Sequence, residues 1–201
     1  MKQVLIVILV ALSMATNAQT ATVTPGNKAP EFELKNVDGK LVSFNSLGAV
    51  KGYIIVFTCN TCPVAKAYEQ RVIGLNKIYA PLGFPVIAIN PNDPSVSPGD
   101  SFDKMVTRAK TSGYGFPYLY DEGQKVTNAY GARNTPQIFL VRHTKEGNMV
   151  AYTGAIDNDP EDIGSNKVNY LEQAISAVMD GKEPAVATTK AIGCSIRRKS
   201  R

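Results

Sequence analysis

The chain has 201 residues, 44% of them hydrophobic, enough for one domain with a real core. The formal charge is +5. Lys2, Arg197, Arg198, Lys199 and Arg201 carry that whole excess, so the body between is neutral and nothing in it calls for a nucleic-acid partner. Three cysteines are too few, and odd in number, for a disulfide-stapled scaffold.

Residues 1–18 read as a signal peptide. Lys2 gives a positive start, residues 4–12 form an apolar core too short to span a bilayer, and Thr16-Asn17-Ala18 offers small residues for cleavage. The expectation is an exported chain, periplasmic or extracellular, beginning at Gln19 and without stable membrane insertion once cleaved. Residues 19–29 read as a flexible lead-in. A domain is expected over 19–181 and an aperiodic C-terminal tail over 182–201.

Residues 29–34 and 41–44 alternate in polarity around an Asp38-Gly39 turn and predict a β-hairpin. The continuous apolar run 53–57 predicts a buried strand. Residues 63–79 have helical periodicity, with Ala65, Tyr68, Val72, Leu75 and Tyr79 on one face. A second buried strand is expected over 85–89, then a Pro-, Asn- and Ser-rich loop over 90–100. Residues 101–112 predict a helix with Phe102, Met105, Val106 and Ala109 inward. A short strand at 118–120 and a short helix at 124–130 follow. Residues 137–141 and 149–152 form two strands around a turn. A helix over 167–179 closes the body, with Gly181 placed to end it. The order implies an α/β fold with a mixed sheet and helices on both faces.

Cys59-Asn60-Thr61-Cys62 lies between the strand at 53–57 and the helix at 63–79. Two cysteines at that spacing and junction point to a dithiol redox site. A helix N-terminus stabilises a thiolate, which is the nucleophilic form. Cys59, first in the motif and expected to be the more exposed and to cap the helix, is assigned as the attacking sulfur, and Cys62 as the resolving one. Zinc wants four ligands, and the three cysteines and His143 include no second close pair beside Cys59 and Cys62, so no metal or cofactor is expected. His143, past a strand end, reads as a solvated turn residue.

Thr135-Pro136 directly precedes the strand at 137–141. With the strand, the Cys-x-x-Cys and the long helix, it resembles the thioredoxin superfamily. That resemblance implies a cis Thr135–Pro136 bond facing Cys59 and Cys62, with the backbone before the proline free to pair with an extended substrate. The opening Ala29-Pro30-Glu31-Phe32-Glu33-Leu34 and the segment from Phe57 to Tyr68 resemble the redoxin (AhpC/TSA-type) family. The closing Thr189-Lys190-Ala191-Ile192-Gly193-Cys194-Ser195-Ile196, with the segment from Phe57 to Tyr68, resembles its peroxiredoxin-like branch carrying a CxxC motif. Peroxiredoxins have a Pro and a Thr ahead of the peroxidatic cysteine and an arginine beside it. Counted from Cys59, this chain has Gly52 and Val56, and it has Pro136 at the arginine position.

These readings imply an exported thiol–disulfide oxidoreductase using the Cys59–Cys62 couple on protein or small-molecule thiols and disulfides, with a separate redox-recycling partner. A peroxide-reducing antioxidant enzyme and a non-enzymatic peptide-binding module are the alternatives. Cys194 is a possible third redox thiol. The tail is expected to pack on a face away from the motif; were Cys194 a working thiol, residues 182–196 would fold back toward Cys59 with Val186, Ala191 and Ile192 able to pin that path and Arg197 onward solvated.

Overall fold

The computed structural model describes residues 22–199. The expected signal peptide lies outside them. Among the described residues no helix is long and apolar enough to cross a membrane.

The main sheet is built around β3 (Gly52–Phe57), whose six residues are all buried. It pairs in parallel with β4 (Val86–Asn90), which pairs in parallel with β5 (Tyr118–Tyr120). On its other side β3 runs antiparallel to β7 (Gln137–Thr144), which hairpins into β8 (Gly147–Gly154). The opening hairpin, β1 (Leu34–Asn36) and β2 (Leu41–Val42), joins antiparallel to β5, giving the order β2-β1-β5-β4-β3-β7-β8. Strands buried on both faces read as unbroken apolar runs, and for that reason β3, β4 and β7 stand out in the sequence.

Alternate residues face opposite cores. Ile54, Val56, Val86, Ala88, Ile138 and Leu140 pack with Tyr68, Val72, Met105, Leu171 and Ile175. These come from α1 (Pro63–Tyr79), α2 (Phe102–Ser112) and α4 (Tyr170–Met179). Tyr53, Ile55, Phe57, Ile87, Ile89 and Phe139 pack on the other face with Phe32, Phe44, Val126 and Tyr130, the last two from α3 (Lys125–Tyr130).

Several expectations need correction. The hairpin arms are shorter than 29–34 and 41–44. Ala29 and Phe32 are buried outside the hairpin, and Phe44–Leu47 is a 3-10 turn, because Ser46 Oγ accepts from the Ser43 N–H at 2.9 Å and draws the chain into a capped turn. In α2, Met105 and Ala109 are buried but Val106 is 36% exposed. The closing helix starts at Tyr170 rather than 167.

Both ends of the body lie along β8. The described part of the lead-in, 22–29, is not loose: Gly26 N–H donates to Val150 O at 2.9 Å and Ala29 N–H to Asn148 O at 2.8 Å. After Gly181 the chain returns, and Thr153 N–H donates to Ala187 O while Thr189 N–H donates to Thr153 O. The tail crosses beside Gly154, where a Cβ would lie 2.1 Å from Thr189 Oγ1. It ends in a two-stranded ribbon, β6 (Asn134–Thr135) with β9 (Cys194–Ser195).

Candidate active site

β3 runs out at Phe57 and delivers Cys59 to the carboxyl end of the sheet. Pro63 at the first helical position then starts α1, a place where the missing proline N–H costs nothing. Cys62, not Cys59, is the N-cap: its Sγ accepts from the Ala65 N–H at 3.5 Å. This corrects the expected cap assignment. The expected difference in exposure is absent too, since Cys59 is 6% and Cys62 4% exposed.

The loop between the cysteines hangs on a buried carboxylate that the sequence reading passed over. Asp100 accepts from the Asn60 N–H at 2.7 Å, Thr61 Oγ1 at 2.7 Å, Asn92 Nδ2 at 2.8 Å and Ser97 Oγ at 2.6 Å. Asn60 completes the clasp, donating to Gly99 O at 2.9 Å and accepting from the Tyr118 hydroxyl at 3.0 Å. The signal available in the sequence was the density of Asn, Ser and Asp in 90–100, just after a strand end, where such side chains satisfy backbone groups of a neighbouring turn.

The Thr135–Pro136 bond is cis. Thr135 Oγ1 lies 3.4 Å from Cys59 Sγ, and the Cys62 thiol lies 3.1 Å from Thr135 O. The expected juxtaposition of Thr135 and Pro136 with the cysteines is present. The expected free backbone is not: Asn134 pairs with Ser195 and Thr135 with Cys194. The tail therefore does not pack on a distant face. Cys194 packs against the cluster formed by Cys59, Cys62 and Ala65.

The residues that pin the tail also differ from expectation. Val186 is 47% exposed, whereas Ile196 is 7% exposed and its N–H donates to Arg133 O at 3.0 Å. Arg197–Lys199 are exposed, as expected, but the first two are also tethered: Arg197 N–H donates to Asn92 Oδ1 at 2.9 Å, and Arg198 reaches Asn128 Oδ1 at 2.6 Å and Ala132 O at 3.1 Å. His143 is exposed, its ring Nδ1 3.0 Å from Asn148 Oδ1.

The cysteine pair shares its protons unequally. Cys62 is held below the ordinary thiol range by hydrogen bonding from Cys59, against the cost of burial, with further donation from the Cys194 thiol and from the Ala65 and Cys194 N–H groups. Cys59 is pushed up by that same bond, by burial and by the charge of Asp100. The helix cap therefore favours thiolate character at Cys62, while burial and the Asp100 charge disfavour it at Cys59.

Cys59, Cys62, Thr135 and Cys194 open on one cleft of about 370 Å³, whose other walls include Thr61, Val96 and Arg197. A thiolate there, with a second thiol in contact, can attack a disulfide and be resolved.

The geometry has clear parallels among known proteins. An uncharacterized conserved protein from Geobacillus kaustophilus is 34% identical, with 88% of this chain and 93% of that one superposed at a TM-score of 0.80. A thiol:disulfide interchange protein of the thioredoxin family from Chlorobium tepidum TLS is 26% identical over 64% of this chain and 85% of its own, at a TM-score of 0.50. The fold is thioredoxin-like. A thiol-disulfide oxidoreductase, ResA, from Halalkalibacterium halodurans is 28% identical over 121 residues, 60% of this chain and 64% of that relative, so less than two thirds of its length is matched. The AhpC/TSA family profile matches residues 25–152, well over half of the sequence, and the chain belongs to that family.

Proposed function

We propose that the protein is a thiol–disulfide oxidoreductase whose working couple is Cys59–Cys62. The observation that carries this reading is the pair itself: two buried cysteines packed together at the N-terminus of α1, beside cis Pro136, at the floor of an open cleft. In this reading Cys62 is the nucleophile. The helix cap and the surrounding donors stabilise its thiolate, which attacks one sulfur of a substrate disulfide; that S–S bond breaks, the other sulfur leaves as a thiolate and takes up a proton, and a mixed disulfide with Cys62 remains. Cys59 then gives up its proton and attacks Cys62, closing the Cys59–Cys62 disulfide and releasing the substrate as a thiol. This reading reverses the division of labour expected from the motif order, and the position of the helix cap on the second cysteine supports it. Thr135 Oγ1 steadies Cys59, and Pro136 closes the wall behind it.

Substrates are protein or small-molecule thiols and disulfides, and a separate redox partner recycles the couple. The relative's name as a thiol-disulfide oxidoreductase supports this class of chemistry. The signal-like residues 1–18 support export to the periplasm or beyond. N-terminal sequencing of exported protein starting at Gln19 is the expected result, and retention of Met1 in mature protein overturns it.

The test of the chemistry is a glutathione redox titration of the couple beside a hydrogen-peroxide consumption trace. A reversible two-electron Cys59–Cys62 transition, with peroxide consumed no faster than by a free thiolate, is expected. Peroxide oxidation far above that rate makes the protein a peroxidase instead. The peptide-binding alternative has less support, because the backbone edge such a module would use is already paired with the chain's own tail.

A further inference from the structure

The ribbon of β6 and β9 places a third cysteine on the backbone edge that a substrate strand would occupy. Three features make this a built seat. Cys194 is the antiparallel partner of Thr135, the residue before the cis proline. Gly193 lies flat on the cis peptide: a Cβ there would come 2.2 Å from Thr135 O and 2.9 Å from Pro136 N. Bonds on both sides hold the strand, Asn134 Nδ2 to Gly193 O at 3.2 Å and Ile196 N–H to Arg133 O at 3.0 Å. The Cys62 thiol meanwhile lies 3.1 Å from Thr135 O, on the same rung as Cys194.

We propose that the C-terminal strand is a tethered substrate, with Cys194 exchanging into the Cys59–Cys62 disulfide to give a Cys62–Cys194 disulfide. This deepens the proposed function and rests on it. The step is an exchange with no net oxidation. Cys194 loses its proton, and its thiolate attacks Cys62 Sγ. The Cys59–Cys62 bond breaks as the Cys62–Cys194 bond forms. Cys59 leaves as a thiolate and takes up a proton. Cys62 becomes the central sulfur, with a partner thiol on either side.

The surroundings of Cys194 suit a thiol that is quiet until the pair is oxidised. Burial, donation to Cys62 and the Cys62 charge raise its pKa, while the Val64 N–H and Arg197 lower it. Forming the Cys59–Cys62 disulfide removes both effects of Cys62 and leaves burial opposed by Val64 and Arg197. An external polypeptide reaches Thr135 only by displacing β9.

The experiment oxidises the full chain with oxidised glutathione, blocks free thiols at low pH and maps linkages by mass spectrometry under non-reducing digestion. Wild type is expected to hold both Cys59–Cys62 and Cys62–Cys194, the latter in at least one molecule in ten. Cys59→Ser should close Cys62–Cys194 within the monomer. Cys62→Ser should link Cys59 to Cys194 at least ten-fold more slowly. Cys194→Ser should still close and reopen Cys59–Cys62, which reads the proposed function independently of the tail. If Cys194→Ser cycles but Cys59→Ser gives only free thiols or intermolecular dimers, the tethered-substrate inference falls and the oxidoreductase stands. If neither wild type nor Cys194→Ser forms Cys59–Cys62, both fall.

Discussion

Asp100 joins the loop between the cysteines to the segment after β4, and it bears on both stability and reactivity. Its carboxylate accepts hydrogen bonds from four groups, two on the motif loop and two in 90–100. In Asp100→Asn an amide nitrogen replaces one acceptor oxygen and faces donors. Each buried group left unsatisfied costs about 1–3 kcal/mol, so a loss of about 2–4 kcal/mol in urea unfolding is expected. The variant also removes the charge that helps raise Cys59, so Cys59 should be alkylated at lower pH than in wild type. Unchanged stability together with an unchanged alkylation profile would mean that Asp100 does not hold the site.

The thiols make a pH signature of their own. Cys62 has a lowered pKa, so it binds fewer protons folded than unfolded. Its contribution to stability is present in full above the unfolded thiol value of about 8.5 and is lost as pH falls through the folded value. Cys59 is raised, so its contribution is present below about 8.5 and is lost as pH climbs above it. The melting temperature of reduced wild type, minus that of the Cys59→Ser, Cys62→Ser double variant, should therefore rise with pH toward about 8.5 and decline beyond. A flat difference across pH 5–10 would show that the pair shares no proton.

At the scale of elements, periodicity made the strands and helices legible wherever burial is one-sided or complete. The helix α1 spans Pro63–Tyr79, as its apolar spacing predicts, and β3 and β4 follow from unbroken apolar runs. Pairing that depends on distant partners was not legible. β9 is two residues, Cys194 and Ser195, with no alternation to reveal it. Its existence depends on Gly193 fitting the cis peptide and on the pocket that takes Ile196, neither of which is local information. The cap at Cys62 was hidden for a similar reason: which cysteine caps the helix turns on where the first helical residue falls, and a difference of one turn exchanges the roles.

The tail strand should accordingly behave as a separate stability unit. Ile196→Ala removes its one buried anchor, a kind of truncation that costs about 2–5 kcal/mol at a core site. Hydrogen exchange should then accelerate at Ile196 N–H, which bonds Arg133 O, while β3 and β4 stay protected. Equal loss of protection in the central strands would mean that the tail is part of the cooperative core.

For the molecule as a whole, the two alternative disulfides differ in what they constrain. Cys59–Cys62 closes a loop of about four residues and restricts the unfolded chain little. Cys62–Cys194 ties the start of α1 to the end of the tail and closes a loop of about 130 residues. Loop-closure entropy puts the two near about 2 and about 5 kcal/mol. Burial does not offset this, because the tail is already seated with all three thiols free. Cys59→Ser oxidised to Cys62–Cys194 should therefore melt above Cys194→Ser oxidised to Cys59–Cys62. At about 2–4 °C per kcal/mol for a chain of this size, the gap should be about 6–12 °C. Each variant's own reduced form is the reference, which cancels the effect of the serine. Calorimetry on samples with mapped linkages measures it. No gap, or a reversed one, would mean that linking Cys194 to Cys62 strains the ribbon, and that the tail is not built to carry the bond.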